Sequence, residues 1–254
     1  MVDNKTLGLL FDMQHTTLHT LGLNRQADTW LEPGPIPNRL HKLRIGSLTF
    51  ELGRHESRRG ECWQGKLMAQ NCKTLRHLEL GFETDAAMDF LLLPIANDDH
   101  ADFAQSRSFE RTLREEFEAL KASMSLNSLK VISWNVRRIL SDKHWPTMDL
   151  RNLTKLVLED CYALNEAFLL LSSFSTNPQD VRCLLNLDSF TFRQKYGPQC
   201  IRKHLRRFIC SLPRGLRDLS VLMDEVGFNM STESILRVHG KTLRTLIWDE
   251  RSYR

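Results

Sequence analysis

Short segments in which hydrophobic and polar residues alternate recur along the whole chain. Each has the form Leu-x-x-Leu-x-Leu, with aliphatic or aromatic residues replacing some of the leucines. The last two hydrophobic positions are separated by one residue, which is typical of a strand with one buried face. The hexamers begin at Leu18, Leu40, Leu75, Leu129, Leu153, Leu187, Leu216 and Leu243. The pattern therefore predicts eight short strands.

The residues between the hexamers show the period of an amphipathic helix instead. From Ile201 to Ile209 the apolar residues fall on one stripe and the basic residues on the opposite one. Ranges 109–124 and 164–174 have the same period. Before the last hexamer, Ser231 or Thr232 is suited to cap the start of a helix and Gly240 its end. Strands and helices are thus predicted to alternate.

The spacing of the later hexamers indicates one structural unit used several times. The last four intervals are 24, 34, 29 and 27 residues, within the range of repeat architectures. The segments Lys73–Glu83 and Lys241–Arg251 share the sequence Lys-Thr-Leu-Arg-x-Leu. In addition, Phe-Leu-Leu-Leu follows both Leu75 and Leu153 at the same distance of fifteen residues. Such a unit cannot cover its own apolar faces, so neighbouring units are expected to stack.

Composition narrows the classes of function. Hydrophobic residues form 41% of the 254 residues and charged residues 26%, the proportions of a globular domain. The net charge of +4 arises from interspersed acids and bases, which argues against a dedicated nucleic-acid or membrane surface. The six cysteines include no Cys-x-x-Cys pair, and the N-terminal apolar stretch is too short for a signal peptide. We expect an intracellular protein, cytoplasmic or nuclear, with free thiols.

The segment Leu-Thr-Lys-Leu-Val-Leu-Glu-Asp-Cys, Leu153–Cys161, resembles the Leu-x-x-Leu-x-Leu-x-x-Asn/Cys signature of leucine-rich repeats. In that family the final Asn or Cys hydrogen-bonds the turns between units, a role that the resemblance assigns to Cys161. The resemblance extends over roughly residues 15–250. It implies an α/β solenoid of horseshoe shape, with parallel strands on the concave face and helices on the convex face. Residues 1–254 are then one domain of about eight irregular units.

The irregular spacing and the final segment, His239–Arg251, are similar to the repeat region of fungal F-box-like leucine-rich proteins. In that family the repeats recruit a target, and a separate N-terminal F-box docks to the adaptor of a cullin-type ubiquitin ligase. An F-box begins with a Leu-Pro motif and three helices, for which the residues before Leu18 leave no room. The resemblance thus implies target recognition for a ubiquitin ligase if an F-box lies upstream, or a free-standing scaffold if none does.

The pattern is weakest between Leu75 and Leu129, an interval of 54 residues with one readable strand. The polar, turn-rich residues near 94–108 are interpreted as an insertion. They include four potential metal ligands, Asp98, Asp99, His100 and Asp102. Adjacent residues rarely converge on one ion without a defined loop, so a solvated loop is the better interpretation. No metal and no cofactor are expected.

Catalytic motifs are missing from the sequence. It contains no Gly-x-Ser-x-Gly elbow, no phosphate-binding glycine loop and no His-Glu-x-x-His motif. The basic helix 201–209 could meet phosphate groups, but its bases fall on the outer helical face, where solvated charge is ordinary. The sequence predicts a non-enzymatic protein-binding module, with nucleic-acid binding through this helix as the weaker alternative.

Strand alternation selects the side chains expected on the concave, protein-binding face. They are Lys42, Arg44, His77, Glu79, Val131, Ser133, Lys155, Val157, Ser189, Thr191, Asp218, Ser220, Thr245 and Ile247. Their charge runs from basic through mixed to acidic or neutral along the chain. We interpret this gradient as a feature that orients the partner.

Overall fold

All eight predicted segments contribute strands to one parallel sheet in a computed structural model of the protein. The structure describes residues 9, 13–14, 17–23, 37–45, 63–81, 104–121, 123–140, 148–175, 177–195, 201–223 and 232–250. The strands of this sheet are β1 (Thr20–Leu23), β2 (Lys42–Ile45), β3 (His77–Gly81), β5 (Ser128–Ile132), β7 (Lys155–Glu159), β8 (Ser189–Gln194), β9 (Asp218–Met223) and β10 (Thr245–Glu250). The fold is therefore α/β.

Within this sheet the strands lie side by side in the order in which they occur along the chain, from β1 to β10. Two further strands, β4 (Met124–Ser125) and β6 (Met148–Asp149), pair with each other in a separate parallel ladder. Backbone bonds extend the order beyond the strands. The residue just before a strand donates its N–H to the carbonyl of the residue just before the neighbouring strand, for example Arg76 to His41 and Arg244 to Arg217.

Helices connect the strands. In the described residues they are α1 (Trp63–Gln70), α2 (Ala104–Leu120), α3 (Val136–Ile139), α4 (Leu164–Ser175), α5 (Ile201–Ser211) and α6 (Glu233–His239). Four pairs pack together, namely α1 with α2, α3 with α4, α4 with α5, and α5 with α6. Within the part of the chain that the structure describes, no helix combines the length and the apolar character needed to cross a membrane.

The predicted helices form, with three differences. Helix α2 spans Ala104–Leu120 rather than 109–124, so part of the proposed insertion is helical, as the helix formers Ala104 and Gln105 allow, and Met124 lies in strand β4 instead. On α5 the apolar stripe is buried as predicted, but Arg202 lies inside with it, at 8% exposure, because it neighbours that stripe. Thr232 occupies the N-cap of α6 without a side-chain hydrogen bond to the helix.

Two rows of apolar side chains, one residue pair per strand, form the buried face of the sheet. The first row passes through Leu21, Leu43, Leu78, Leu129, Leu156, Phe190 and Leu219, all at most 6% exposed. The second contains Leu80, Val131, Leu158, Phe192 and Val221, at most 1% exposed. Burying this much apolar surface is the main favourable term in folding.

Aromatic rings fill the core between β8 and the two helices that pack beside it. Phe168 of α4 stacks on Phe208 of α5 with ring centroids 5.5 Å apart. The edges of Phe190 and Phe192 meet these rings, with centroids 5.3 Å from Phe208 and 5.6 Å from Phe168. Offset and edge-to-face arrangements of this kind are the favourable ones for aromatic pairs.

The two segments that share Lys-Thr-Leu-Arg-x-Leu occupy equivalent positions before β3 and β10. The hydroxyl of Thr74 donates to the carbonyl of Leu40 at 2.9 Å, and that of Thr242 donates to the carbonyl of Leu216 at 2.8 Å. Leu40 and Leu216 are themselves the first leucines of the preceding hexamers. The repeated sequence thus makes the same hydrogen bond twice, 168 residues apart.

The same turns each contain one buried polar side chain that pattern reasoning overlooked. Asn71 accepts the N–H of Leu40 at 2.7 Å through Oδ1 and donates through Nδ2 to the carbonyls of Pro37 and Leu67, at 2.6 and 2.8 Å. His239 accepts the N–H of Leu216 at 3.2 Å through Nδ1. Its Nε2 pairs with the carbonyl of Ile209 at 2.9 Å. Both side chains are fully buried, and they satisfy the backbone N–H groups of Leu40 and Leu216.

Candidate binding face

The side chains that alternate with the two buried rows form a surface that we call the open face. Its first row is Thr20, Lys42, His77, Ser128, Lys155, Ser189, Asp218 and Thr245. Its second row is Gly22, Arg44, Glu79, Lys130, Val157, Thr191, Ser220 and Ile247. A third, shorter row begins on β3 and contains Gly81, Ile132, Glu159, Arg193, Leu222 and Asp249. Hydrogen-bonded strands place these residues side by side, about 4.8 Å from one strand to the next.

Twelve of the fourteen residues selected from the sequence lie in the first two of these rows. The first row contains Lys42, His77, Lys155, Ser189, Asp218 and Thr245, and the second contains Arg44, Glu79, Val157, Thr191, Ser220 and Ile247. Among them Val157 is 6% exposed and lies outside the main core cluster, so it forms part of the floor of the open face. The structure brings these residues together from strands far apart in the sequence.

The two residues assigned to β5 were wrong. Val131 is completely buried in the core, and Ser133 lies beyond the end of the strand, where its φ of 52° is left-handed. The hexamer that forms β5 begins at Leu126, not at Leu129. A shift of three residues is odd, so it exchanges the two faces of the strand. Ser128 and Lys130 are the residues that β5 places on the open face.

A chain of ion pairs crosses four strands of the open face. The guanidinium of Arg44 on β2 lies 3.2 Å from the carboxylate of Glu79 on β3. The ammonium of Lys130 on β5 lies 3.9 Å from that carboxylate and 3.2 Å from the carboxylate of Glu159 on β7. Partly exposed pairs of this kind each stabilise a fold by about 0.2–1 kcal/mol. Their larger effect is on the charge available to a partner, because Glu79 and Glu159 are each bound to at least one base.

Charge is distributed unequally along the open face. In β1 to β8 it has five bases, Lys42, Arg44, Lys130, Lys155 and Arg193, and two acids, Glu79 and Glu159. In β9 and β10 it has two acids, Asp218 and Asp249, and no base. The predicted change of sign is therefore present in the assembled surface, with the boundary between β8 and β9.

The far edge of the sheet also exposes apolar side chains. Leu246 of β10 belongs to the first buried row but is 41% exposed, because β10 has a neighbour on one side only. Ile247, on the open face, is 48% exposed. The opposite edge differs, since Leu21 of β1 is 6% exposed. The acidic end of the open face thus lies at the edge of the sheet where Leu246 and Ile247 are exposed.

Cys161 lies where the resemblance to leucine-rich repeats places a turn-bonding residue. It is buried, and its thiol donates to the carbonyls of Val131 and Glu159, both at 3.3 Å. Burial raises the pKa of Cys161 to about 12, against the smaller opposing effect of nearby backbone hydrogen bonds. A thiol that stays protonated at neutral pH is a poor nucleophile, so the geometry fits a structural role.

The other residues that the sequence suggested for chemistry are the bases of α5, the cysteines and the potential metal ligands. Lys203, Arg206 and Arg207 point outward from α5, as the sequence indicates. The described cysteines, Cys72, Cys161, Cys183 and Cys210, are free thiols. Among the described residues no three His, Cys, Asp or Glu side chains converge on a possible metal position. The potential metal ligands at positions 98–102, the Phe-Leu-Leu-Leu segment at 90–93 and Ser231 lie outside the described residues.

Two tryptophans that pack into or against the core differ in their position relative to the strand. Trp248 occupies the second buried row, on β10, and packs against the core from a partly buried position. Trp134 is 3% exposed and belongs to the core, but it lies two residues beyond the end of β5. This difference follows from the shifted frame of the β5 hexamer.

In comparisons with known proteins, the chain matches no protein-family model, no curated protein and no solved structure. A proposal for its function therefore rests on the geometry and chemistry of the open face.

Proposed function

We propose that the chain is a leucine-rich-repeat solenoid that binds a protein partner on its open face and carries out no chemistry of its own. The observation that carries this proposal is the pair of adjacent side-chain rows that crosses all eight strands, with the apolar core behind them. Parallel sheets are usually covered on both faces. A long parallel sheet with one polar, solvent-exposed face is a preformed surface that loses little conformational freedom on association.

The order of the strands supports the solenoid. Each strand pairs with its predecessor in the sheet, the helices pack in sequence, and the same threonine hydrogen bond recurs before β3 and β10. Arrays in which each unit touches only its neighbours have these properties. Cys161, two positions after the end of β7, adds a bond to the neighbouring strand through the carbonyl of Val131 on β5.

The resemblance to F-box-like proteins extends the proposal to target recognition for a ubiquitin ligase. This role requires an F-box encoded upstream of Met1, which the gene sequence would reveal as a Leu-Pro motif followed by three helices. If the upstream sequence has no such motif, a free-standing scaffold is the better interpretation. Either role uses the same open face.

The binding face can be tested with two matched variants of the full chain. Thr191→Trp with Ser220→Trp places bulky uncharged rings on neighbouring strands of the open face, whereas Glu166→Trp places one on the exposed surface of α4. Affinity capture followed by quantitative mass spectrometry should recover a set of partners with the wild type and with Glu166→Trp. The double variant should lose them while its circular dichroism spectrum remains native.

Retention of every partner by a folded double variant would exclude the open face as the binding surface. Loss of the partners from Glu166→Trp alone would assign binding to the helical side. A third outcome, capture of nucleic acid that is abolished by Lys203→Glu with Arg207→Glu, would favour the weaker alternative of a basic helix that binds phosphate groups.

A further inference from the structure

The first row of the open face consists only of hydrogen-bond donors from β1 to β8. These residues are Thr20, Lys42, His77, Ser128, Lys155 and Ser189, and the first carboxylate in the row is Asp218 on β9. Lys42, His77 and Lys155 are exposed. A ligand lying along this row would meet hydroxyl, ammonium and imidazole groups, and no acid that repels a carboxylate.

The second row does not cancel this charge. Its acid Glu79 and the neighbouring Glu159 are held by Arg44 and Lys130 at 3.2–3.9 Å. These pairs leave Lys42 and Lys155 without an acid among the described residues of the open face. Over β1 to β8 the open face has three more bases than acids, all within the same sheet.

The spacing of the two lysines defines what they can bind together. Lys42 and Lys155 are three strand intervals apart, or about 14 Å at 4.8 Å per interval. An extended peptide rises about 3.3 Å per residue, so carboxylates about four residues apart would reach both ammonium groups. The donors between them, His77 and Ser128, could bind side-chain or backbone oxygens of the same segment.

We infer that the open face of β1 to β8 binds an acidic, extended peptide segment of the partner protein, with Lys42 and Lys155 as its two charge contacts. This inference rests on the proposed function and specifies the partner's chemistry. The acids Asp218 and Asp249 at the other end would repel a segment that continued over β9 and β10. They therefore restrict the acidic part of the partner segment to β1 to β8.

The test uses fluorescence anisotropy with a fluorescein-labelled synthetic peptide. The peptide has about twelve residues, with a glutamate at every fourth position and Gly-Ser spacers, and the matched control peptide has glutamine in place of glutamate. Binding of the full chain should require glutamate and should weaken as the salt concentration rises from about 0.05 M to about 0.5 M.

Two double variants with the same change in net charge distinguish a site from general attraction. Lys42→Glu with Lys155→Glu should weaken glutamate-peptide binding by about tenfold or more, because it places acids in the donor row. Lys203→Glu with Arg207→Glu alters the outer surface of α5 and should leave the affinity nearly unchanged. Equal weakening by both variants would overturn the inference, because it would show attraction by net charge alone.

The remaining outcomes are equally decisive. If the glutamate peptide does not bind, or binds no better than the glutamine peptide, the inference is wrong. The proposed function survives that result if Thr191→Trp with Ser220→Trp still abolishes capture of partners. If the capture experiment also shows no dependence on the open face, both proposals fail.

Discussion

The buried imidazole of His239 should make the protein lose stability in mild acid. Its Nδ1 accepts the backbone N–H of Leu216 at 3.2 Å, and its Nε2 donates to the carbonyl of Ile209 at 2.9 Å. This pair of bonds requires the neutral ring with its proton on Nε2. Burial lowers the pKa of His239 below its ordinary value of 6.5, and the bond to Ile209 opposes that effect only in part.

The sign of the effect follows from the lowered pKa. At a pH above 6.5 the ring is neutral in both states, and its contribution to stability is complete. As the pH falls below that value, the unfolded chain takes up a proton that the folded protein excludes. The free energy of unfolding then decreases by at most about 1.4 kcal/mol per pH unit for this one proton.

Two substitutions separate the hydrogen bonds from the titration. His239→Ala leaves the buried N–H of Leu216 unpaired, at about 1–3 kcal/mol, and removes one bond to the carbonyl of Ile209, at about 0.5–1.5 kcal/mol. That carbonyl keeps the N–H of Leu212 at 3.3 Å, so we expect a loss of about 1.5–4.5 kcal/mol at neutral pH. His239→Asn supplies an amide oxygen to the Leu216 N–H, as Asn71 does for Leu40 at 2.7 Å. It should cost less than the alanine variant and should not titrate.

Urea unfolding followed by tryptophan fluorescence, at several values between about pH 5 and pH 8, measures both quantities. Other histidines and carboxylates are present in wild type and His239→Asn alike, so their titration cancels in the difference. That difference should shrink as the pH falls below 6.5. Hydrogen exchange at the Leu216 amide gives a local reading of the same bond. Parallel stability curves for the two proteins across this range would refute the neutral-acceptor role of His239.

Three further predictions concern stability and reactivity. Leu219→Ala, in the fully buried part of a core row, should lower the free energy of unfolding by about 2–5 kcal/mol. Leu246→Ala, in the same row at the exposed edge, should lower it by less than about 1 kcal/mol. Equal losses in urea unfolding would contradict this dependence on burial. Asn71→Ala removes bonds to three backbone groups and should cost about 2–5 kcal/mol by the same measurement, against no change if water replaces the amide. In the native protein iodoacetamide should modify Cys161 much more slowly than the partly exposed Cys210, as followed by mass spectrometry. After unfolding, the two cysteines should react at equal rates. Rapid modification of Cys161 in the native protein would exclude its buried, protonated state.

The strands could be predicted because their signal is local. A hexamer with apolar residues at its fourth and sixth positions specifies a strand and its buried face within a few residues. Seven of the eight hexamers assigned the correct residues to the buried face and to the open face of their strands. The eighth did not, because Leu126, Leu129 and Val131 overlap with a second apparent copy that starts at Leu129. Local sequence fits both frames, and only the pairing of β5 with β3 selects Lys130 over Val131 for the open face.

Other features depend on residues that are distant in sequence. Glu79 is paired by Arg44 and Lys130, which lie 35 and 51 positions away, so the charge available on the open face could not be obtained from composition. The buried roles of Asn71 and His239 have no hydrophobic signature. A polar side chain is retained in a core when it satisfies backbone groups, and those groups are set by the turns of another strand.

The sequence by itself determined the alternation of strands and helices, the stripe of α5 and most of the side chains on the open face, because periodicity is a property of neighbouring residues. The tertiary structure decided the frame of β5, the ion pairs that neutralise Glu79 and Glu159, the turn bonds of His239 and Asn71, and the exposure of Leu246. These features arise from parallel pairing between segments some 20–50 residues apart, and only that pairing brings their side chains within a few ångströms of one another.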